Sequence, residues 1–501
     1  MLAFPEITKK LQPLDRAALT AIVVLMVPIL VLALGGDRTL PRVRDFSWQD
    51  RQVGAEDRAF ILTFNRPMDR NSVAENLEIE PPLPGKISWA AQRMVYTLEQ
   101  PAPYGFEFSV KLADAQDRLA ARQNTDTTIE PFQGNFSTRD RALTYISLNP
   151  SEEGQLVLYN FTQDRTTVLT PADLRVMDYR IYPKGDRILF SAVDRRSQKP
   201  GLADVQLYTV TTGIAPNVPG ESAPKPEPVG KIRRVLDNQE YQNLKFDLSP
   251  DGKTIVVQRA DRRNPGGTAR LWVIREGEKP QPLTSEPGGI FIIAPNSQEL
   301  AIAQGQGISI LPLDNPKGDA TKPLEFFPKY GKILAFTRDG SAAVMVKYNT
   351  DYTRSLYLVP NQGDAQEIIN TKGSILSAQF DPTGRILYCV LTDLIEGEKY
   401  KEVPYLAAIN LAEQKFQRLF EFKTPQPDIA AHLSPDGLSL IFDRLATAPP
   451  GESANAPRTS SGTAIVSGRL WLLLLAETEN GTLDVEGDEL PLVGFSPRWL
   501  P

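Results

Sequence analysis

The sequence is poor in the residues that most metal and redox chemistry requires. Its 501 residues include one cysteine, Cys389, and one histidine, His432. A lone cysteine excludes an intramolecular disulfide framework and any cysteine-rich zinc site, and a lone histidine excludes a two-histidine metal site. The chain has no G-x-S-x-G nucleophile elbow, no phosphate-binding P-loop, no G-x-G-x-x-G run and no EF-hand loop. Nor is positive charge in excess: 55 Lys and Arg stand against 61 Asp and Glu, a formal charge of −6. That balance disfavours nucleic-acid binding by the molecule as a whole and leaves room only for a local basic patch.

What is abundant is punctuation. Forty-two prolines and 34 glycines do not suit a helical bundle but suit many short strands joined by turns. Hydrophobic residues at 41% and charged residues at 23% are in the range of folded globular protein. The length gives a prior of about two to four domains.

One long hydrophobic run occurs, AALTAIVVLMVPILVLAL from Ala17 to Leu34, without a charge. Eighteen helical residues would span about 27 Å, close to the ~30 Å of a bilayer core. The expectation is a single transmembrane helix at residues 17–36 after a cytoplasmic tail, residues 1–16, with the bulk of the chain extracytoplasmic, on the periplasmic side. The rival is a signal peptide cleaved near Ala33 and Gly35. Lys9, Lys10 and Arg16 precede the run and Arg38, Arg42, Arg44 and Arg51 follow it, so the positive-inside rule does not set the orientation.

Between residues 45 and 139 the pattern becomes about seven short alternating runs. They include Ala59–Phe64, Met94–Leu98 and Phe106–Val110, divided by turn signals such as Pro81-Pro82 and Pro84-Gly85. This predicts an antiparallel β-sandwich. The stretches ILTFNRPMD, YTLEQPAPYGFEFSV and FQGNFSTRD resemble the bacterial Ig-like module of S-layer proteins (the SbsA type). Asp114-Ala115-Gln116-Asp117 departs from that family's Asp-x-x-Gly motif. The resemblance implies a spacer or adhesion module and no catalytic residues.

From residue 141 to 501 one unit recurs. Its clearest copy is Lys245-Phe246-Asp247-Leu248-Ser249-Pro250-Asp251-Gly252, followed by the runs Thr254–Val257 and Leu271–Ile274. The turn returns at Tyr182–Gly185, Ala294–Ser297, Arg338–Gly340, Asp381–Gly384 and Ser434–Gly437, with steps of 45, 43 and 44 residues from Gly252 to Ser297, Gly340 and Gly384. A period in the low forties with four strands per unit predicts a β-propeller. The first unit, from Ala142, lacks an innermost strand, and Val493–Trp499 reads as an innermost strand with nothing after it. Together they give seven blades closed by the C-terminal segment. The fold class expected is therefore all-β: a seven-bladed propeller preceded by an Ig-like sandwich and one N-terminal transmembrane helix. The Leu-Ser-Pro-Asp-Gly copies resemble the propeller repeats (WD40-like, PD40) of the TolB family, which implies the fold far more than any one activity.

The connections between second and third strands are long and charged, and long loops on one face are where function usually resides. Arg195, Arg196, Arg262, Arg263, Tyr348, Tyr352, Arg354, Tyr400 and Lys401 form the candidate binding face, because Arg and Tyr are enriched in binding hot spots. Solvated surface charge is the plainer account of any one of them. The Pro-rich segment 215–229 and the Pro/Ser/Ala-rich loop 446–468 read as insertions. His432, on an innermost strand, reads as a structural or channel residue and Cys389 as a packed, inert one. The functional expectation is a membrane-anchored binding or scaffold protein. Its partner is a protein or a cell-envelope polymer, and no cofactor, metal, nucleic acid or catalytic residue is assigned. The alternatives are an extracytoplasmic hydrolase of polysaccharide or peptide using channel carboxylates about 5–9.5 Å apart, and a purely structural envelope component.

Overall fold

The computed structural model describes residues 17–18, 20–27, 39–123, 127–197, 204–215, 226–264, 266–314, 322–395, 397, 401–426, 428–448, 457–459, 462–478 and 480–501. Strands dominate. Apart from the stretch 17–27, the described α-helix is confined to Arg70–Asn76 and Arg118–Gln123.

The expected membrane-spanning helix is corrected: among the described residues no helix is long and apolar enough to cross a membrane. The helical residues described within 17–27 occupy at most eleven positions, about 17 Å. A hydropathy run fixes how many apolar residues follow one another, not how many share one helix, and this run carries Pro28 inside it. Residues 1–16 and 28–36 lie outside the described residues.

The chain then builds two four-stranded sheets. One has the order Val43–Phe46, Ala59–Phe64, Arg93–Leu98, Gly85–Ala90, and the other Gln52–Val53, Phe132–Thr138, Glu107–Leu112, Leu77–Glu80. In Ala59–Phe64 the buried positions are Phe60, Leu62 and Phe64, every second residue, as a half-buried strand requires. They meet Trp48 and, from the other sheet, Phe108 and Phe136 in one core. Phe108 stacks on Phe136 with ring centroids 5.0 Å apart. The sandwich is not wholly antiparallel, because Gln52–Val53 runs parallel to Phe132–Thr138. Two short helices also start within the sandwich. Asp69 accepts the Ser72 amide at 2.9 Å, and Asp117 accepts the Leu119 and Ala120 amides at 2.9 and 2.7 Å. Each carboxylate satisfies N–H groups that the first helical turn leaves open.

Beyond the sandwich the chain forms a β-propeller. Five consecutive four-stranded meanders occur, with innermost strands Leu174–Ile181, Tyr241–Leu248, Phe291–Ile293, Lys332–Phe336 and Ile375–Phe380. A seven-stranded sheet joins the first ring strands, Ala142–Ser147, Leu156–Asn160 and Arg165–Val168, to Ala431–Leu433, Ser439–Thr447 and Ile465–Glu477. The link is Leu483–Trp499. Its first half pairs with Ile465–Glu477 and its second half with Ala142–Ser147, Phe495 lying opposite Ile146. Four of the five innermost strands carry a register shift at equivalent places, between Val176 and Asp178, Asn243 and Lys245, Ile333 and Ala335, and Ile375 and Ser377. An extra residue there bends each strand and increases its twist.

The repeated turn has a double use. Asp251 accepts the Lys253 amide at 3.0 Å and Asp381 the Thr383 amide at 2.9 Å, which holds each reversal closed. Gly252 has φ +72° and a Cβ there would lie 3.0 Å from Pro183 of the preceding turn; Gly437, φ +80°, stands in the same relation to Pro382. The proline of one turn thus packs on the glycine of the next, and the turns tile one rim of the ring.

Candidate binding face and central channel

In a four-stranded meander the turns after strands one and three lie on one rim, and those after strands two and four on the other. The sandwich sits on the tight-turn rim. Asp436, in the turn Ser434–Gly437, accepts the Tyr104 amide at 3.1 Å and pairs with Arg141 at 3.0 Å, its side chain only 1% exposed. Arg338, in another such turn, donates to the Ala55 carbonyl at 3.2 Å. Tyr104 is itself buried, its hydroxyl accepting the Ala55 amide at 2.9 Å, and burial holds that phenol up at about 12. The sandwich therefore lies on the rim opposite the long loops.

On the long-loop rim the candidate residues divide by what they touch. Three arginines tie blades together. Arg195 donates to the Glu153 carbonyl, Arg262 pairs with Asp204 at 3.1 Å, and Arg354 donates to the Lys372 carbonyl at 2.8 Å while facing Glu402 at 3.9 Å. Arg196 and Arg263 are exposed and pair with acids beside them, Arg196 with Asp173 and Asp194 at 2.9 and 3.0 Å, Arg263 with Asp261 and Glu240 at 3.6 and 3.7 Å. Lys401 opens strand Lys401–Asn410 and is exposed. Tyr400 lies outside the described residues.

Tyr348 and Tyr352 are different. Both belong to the hairpin of Ala342–Tyr348 and Arg354–Pro360, and both are exposed, Tyr352 by 89%. The hairpin is pinned from behind: Asn349 donates to Thr353 Oγ1 at 3.0 Å and to Ser355 Oγ at 2.8 Å, and Asn370 donates to the same two hydroxyls. Tyr352 holds φ +66°, where a bulky side chain is strained. A rigid turn thus offers a large aromatic ring to solvent.

The axis of the ring carries a second set, of which only His432 was singled out from the sequence. Arg180 Nη1 bonds Asp178 at 2.9 Å and its Nε bonds Asp247 of the next blade at 3.3 Å. Asp247 Oδ2 accepts the Ile293 amide at 3.1 Å. Lys332 Nζ donates to the Leu376 carbonyl at 2.8 Å, and Gln379 bonds both the Ala431 carbonyl and the Leu433 amide. Trp499 Nε1 donates to the His432 carbonyl at 3.1 Å, and Tyr179 Oη donates to the Ser496 carbonyl at 2.6 Å. Side chains of one innermost strand satisfy backbone of the next, so these bonds close the ring. Asp178 and Asp247, the two carboxylates on the described innermost strands, both spend oxygens on the one guanidinium of Arg180.

Burial shapes the titration here. It pushes Asp443, which accepts the Ser496 amide at 2.8 Å, up to about 7. Burial and then the neighbouring Arg498 and Arg180 hold His432 well below its ordinary value. Cys389 is buried and its thiol is pushed up, which makes it unreactive. A signal for the channel set was present. Arg180, Asp247, Gln379, His432 and Arg498 each stand three residues before a proline of the repeated turn or its terminal counterpart, Pro183, Pro250, Pro382, Pro435 and Pro501.

No family model matches the sequence, and no curated protein matches it. Among solved structures, the chain is similar to TolB from Acinetobacter baumannii at 11% identity and TM-score 0.39, over 85% of this chain and 83% of that one. It is similar to a Pseudomonas aeruginosa periplasmic gluconolactonase at 12% identity and TM-score 0.42, over 72% of this chain and 99% of that one. The third is Kuenenia stuttgartiensis hydrazine synthase, at 12% identity and TM-score 0.36, over 59% of this chain and 75% of that one.

Proposed function

We propose that the chain is a binding or scaffold protein that takes a protein or an envelope polymer on the long-loop rim of a seven-bladed ring. The seven-stranded sheet counts as two blades that share strand Leu483–Trp499, and the sandwich serves as an Ig-like spacer. One observation carries the reading: the sandwich is seated on the tight-turn rim through Tyr104 on Asp436 and Ala55 on Arg338, so the rim that presents Tyr348 and Tyr352 is the one away from it. A large, rigid aromatic with few rotatable bonds is the side chain that binding sites favour.

Photo-crosslinkers placed at Tyr352 and Arg263, and at Lys253 on the opposite rim, test this in the source cells. Adducts from the first two positions and none from Lys253 are expected. Adducts from Lys253 alone would overturn the assignment of the face.

A further inference from the structure

The chain is acidic overall, yet its channel is basic. Charged residues on the innermost strands are Arg175, Arg180, Lys245, Lys332 and Arg498 against Asp178 and Asp247. Arg175 stands near the long-loop end, beside Arg195. The other four cations and both acids lie deeper, where Arg180 occupies both carboxylates. That leaves Arg498, Lys245 and Lys332 with little compensation.

Arg498 is the least satisfied of these. Its nearest carboxylate, Asp178, is 3.9 Å away, whereas Arg180 reaches the same group at 2.9 Å. Its Nε is buried without a hydrogen-bond partner. The guanidinium carbon lies 5.5 Å from the centre of the Tyr179 ring, a cation–π contact that holds it in place. Burial and the like charge of Arg180 both work against the charge on Arg498, and burial with Lys245 nearby does the same to Lys332. The side chain nevertheless keeps 24% of its surface exposed, and a guanidinium not already held by a carboxylate is suited to take two oxygens of one oxyanion.

We propose that the channel binds an oxyanion group, phosphate or carboxylate, of a ligand through the partly exposed guanidinium of Arg498, with Lys245 and Lys332 supplying further positive charge. Two surplus positive charges at the deeper level favour a dianion. His432 stays neutral there and adds no repulsion or attraction. The site is separate from the long-loop rim, and its test does not depend on the partner proposed above.

The full chain is titrated in low-chloride buffer at neutral pH with inorganic phosphate and, separately, with succinate, and read by calorimetry and by the thermal midpoint. Saturable binding of at least one of them is expected, phosphate alone marking a phosphoryl ligand and succinate alone a carboxylate one. Arg498→Gln weakens binding about tenfold or more, and Arg498→Lys by less because the charge remains while the fork is lost. Lys245→Gln, at an exposed side chain, weakens it several-fold and carries the test if Arg498→Gln does not fold. Lys415→Gln, on the outer edge of its blade, leaves it unchanged. Absence of saturable binding by both ions, or binding that Lys245→Gln leaves intact, overturns the proposal.

Discussion

The sandwich and the propeller solve the same packing problem in opposite ways. The sandwich gathers Trp48, Phe60, Phe64, Phe108 and Phe136 into one core between two sheets. The propeller divides its core into separate clusters, one of them running from Ile146 through Tyr179 and Phe190 to Phe495, another through Tyr388, Phe442 and Leu473. A single core fails as a unit. A divided core survives local loss so long as the ring stays closed, and closure rests on a few backbone-to-side-chain bonds and one shared strand.

The most damaging change expected is therefore removal of the residues after Pro491. It strips Leu492, Phe495, Trp499 and Leu500, all buried, each worth about 1.5–3 kcal/mol, from a domain whose margin is ~5–15 kcal/mol. Limited proteolysis should show residues 142–491 degraded while the sandwich persists; equal resistance of both would refute closure by this strand. Phe60→Ala is the converse. It hollows a fully buried site at about 3–5 kcal/mol, and calorimetry should show the sandwich transition lowered with the propeller transition in place.

Next come two buried groups of the ring with opposite pH responses. Burial raises Asp443 to about 7 from the 3.8 of a free aspartate, so between those values the folded chain holds a proton the unfolded chain has lost. That stabilisation is full below about pH 4 and is lost as pH rises through 7, on the order of a few kcal/mol. His432 is kept neutral well below 6.5, so its contribution is full above 6.5 and is lost as pH falls through its depressed value. Denaturation midpoints at pH 5 and pH 7.5 should show Asp443→Asn relatively less stable at the acid end, and His432→Gln relatively more stable there. Identical pH profiles for both variants and the parent would show that neither group titrates as described.

Smaller is the seam between the two regions. Asp436→Asn weakens the bond to the Tyr104 amide and the charge-assisted pair with Arg141 and costs about 1–3 kcal/mol; sandwich and propeller transitions that move further apart in calorimetry are the expected sign. The smallest effect is a gain. Tyr352→Gly relieves the φ +66° strain and raises stability by about 1 kcal/mol, while abolishing capture of a partner through that hairpin. A variant that gains stability and still captures the partner would remove Tyr352 from the binding face.

Much of the architecture was legible because its signals are local. Pro, Asp and Gly in the turns act within four residues, and the alternation of Phe60, Leu62 and Phe64 needs only one strand. What escaped the sequence lies between elements. Nothing near Arg262 announces Asp204, nothing near Asp436 announces Tyr104, and Arg195, Arg196 and Arg354 look alike until their partners are seen. The polar residue three before five of the prolines, Pro295 with Ile292 being the exception, was readable, but its meaning, a contact with the next blade, appears only when the blades stand side by side. Of the hydrophobic run at residues 17–34, the described part is too short a helix to cross a membrane.

The strand Leu483–Trp499 also sets an order of events. Phe495 pairs with Ile146 across about 350 residues of chain. During synthesis the sandwich has all its strands by residue 138 and can fold early. The strands Ala142–Ser147 to Arg165–Val168 must wait, one edge unpaired, until residue 499 has been made. For most of the time the chain is growing, that edge is a template for mispairing with a neighbouring nascent chain, and slowing translation should raise aggregation of this protein rather than relieve it.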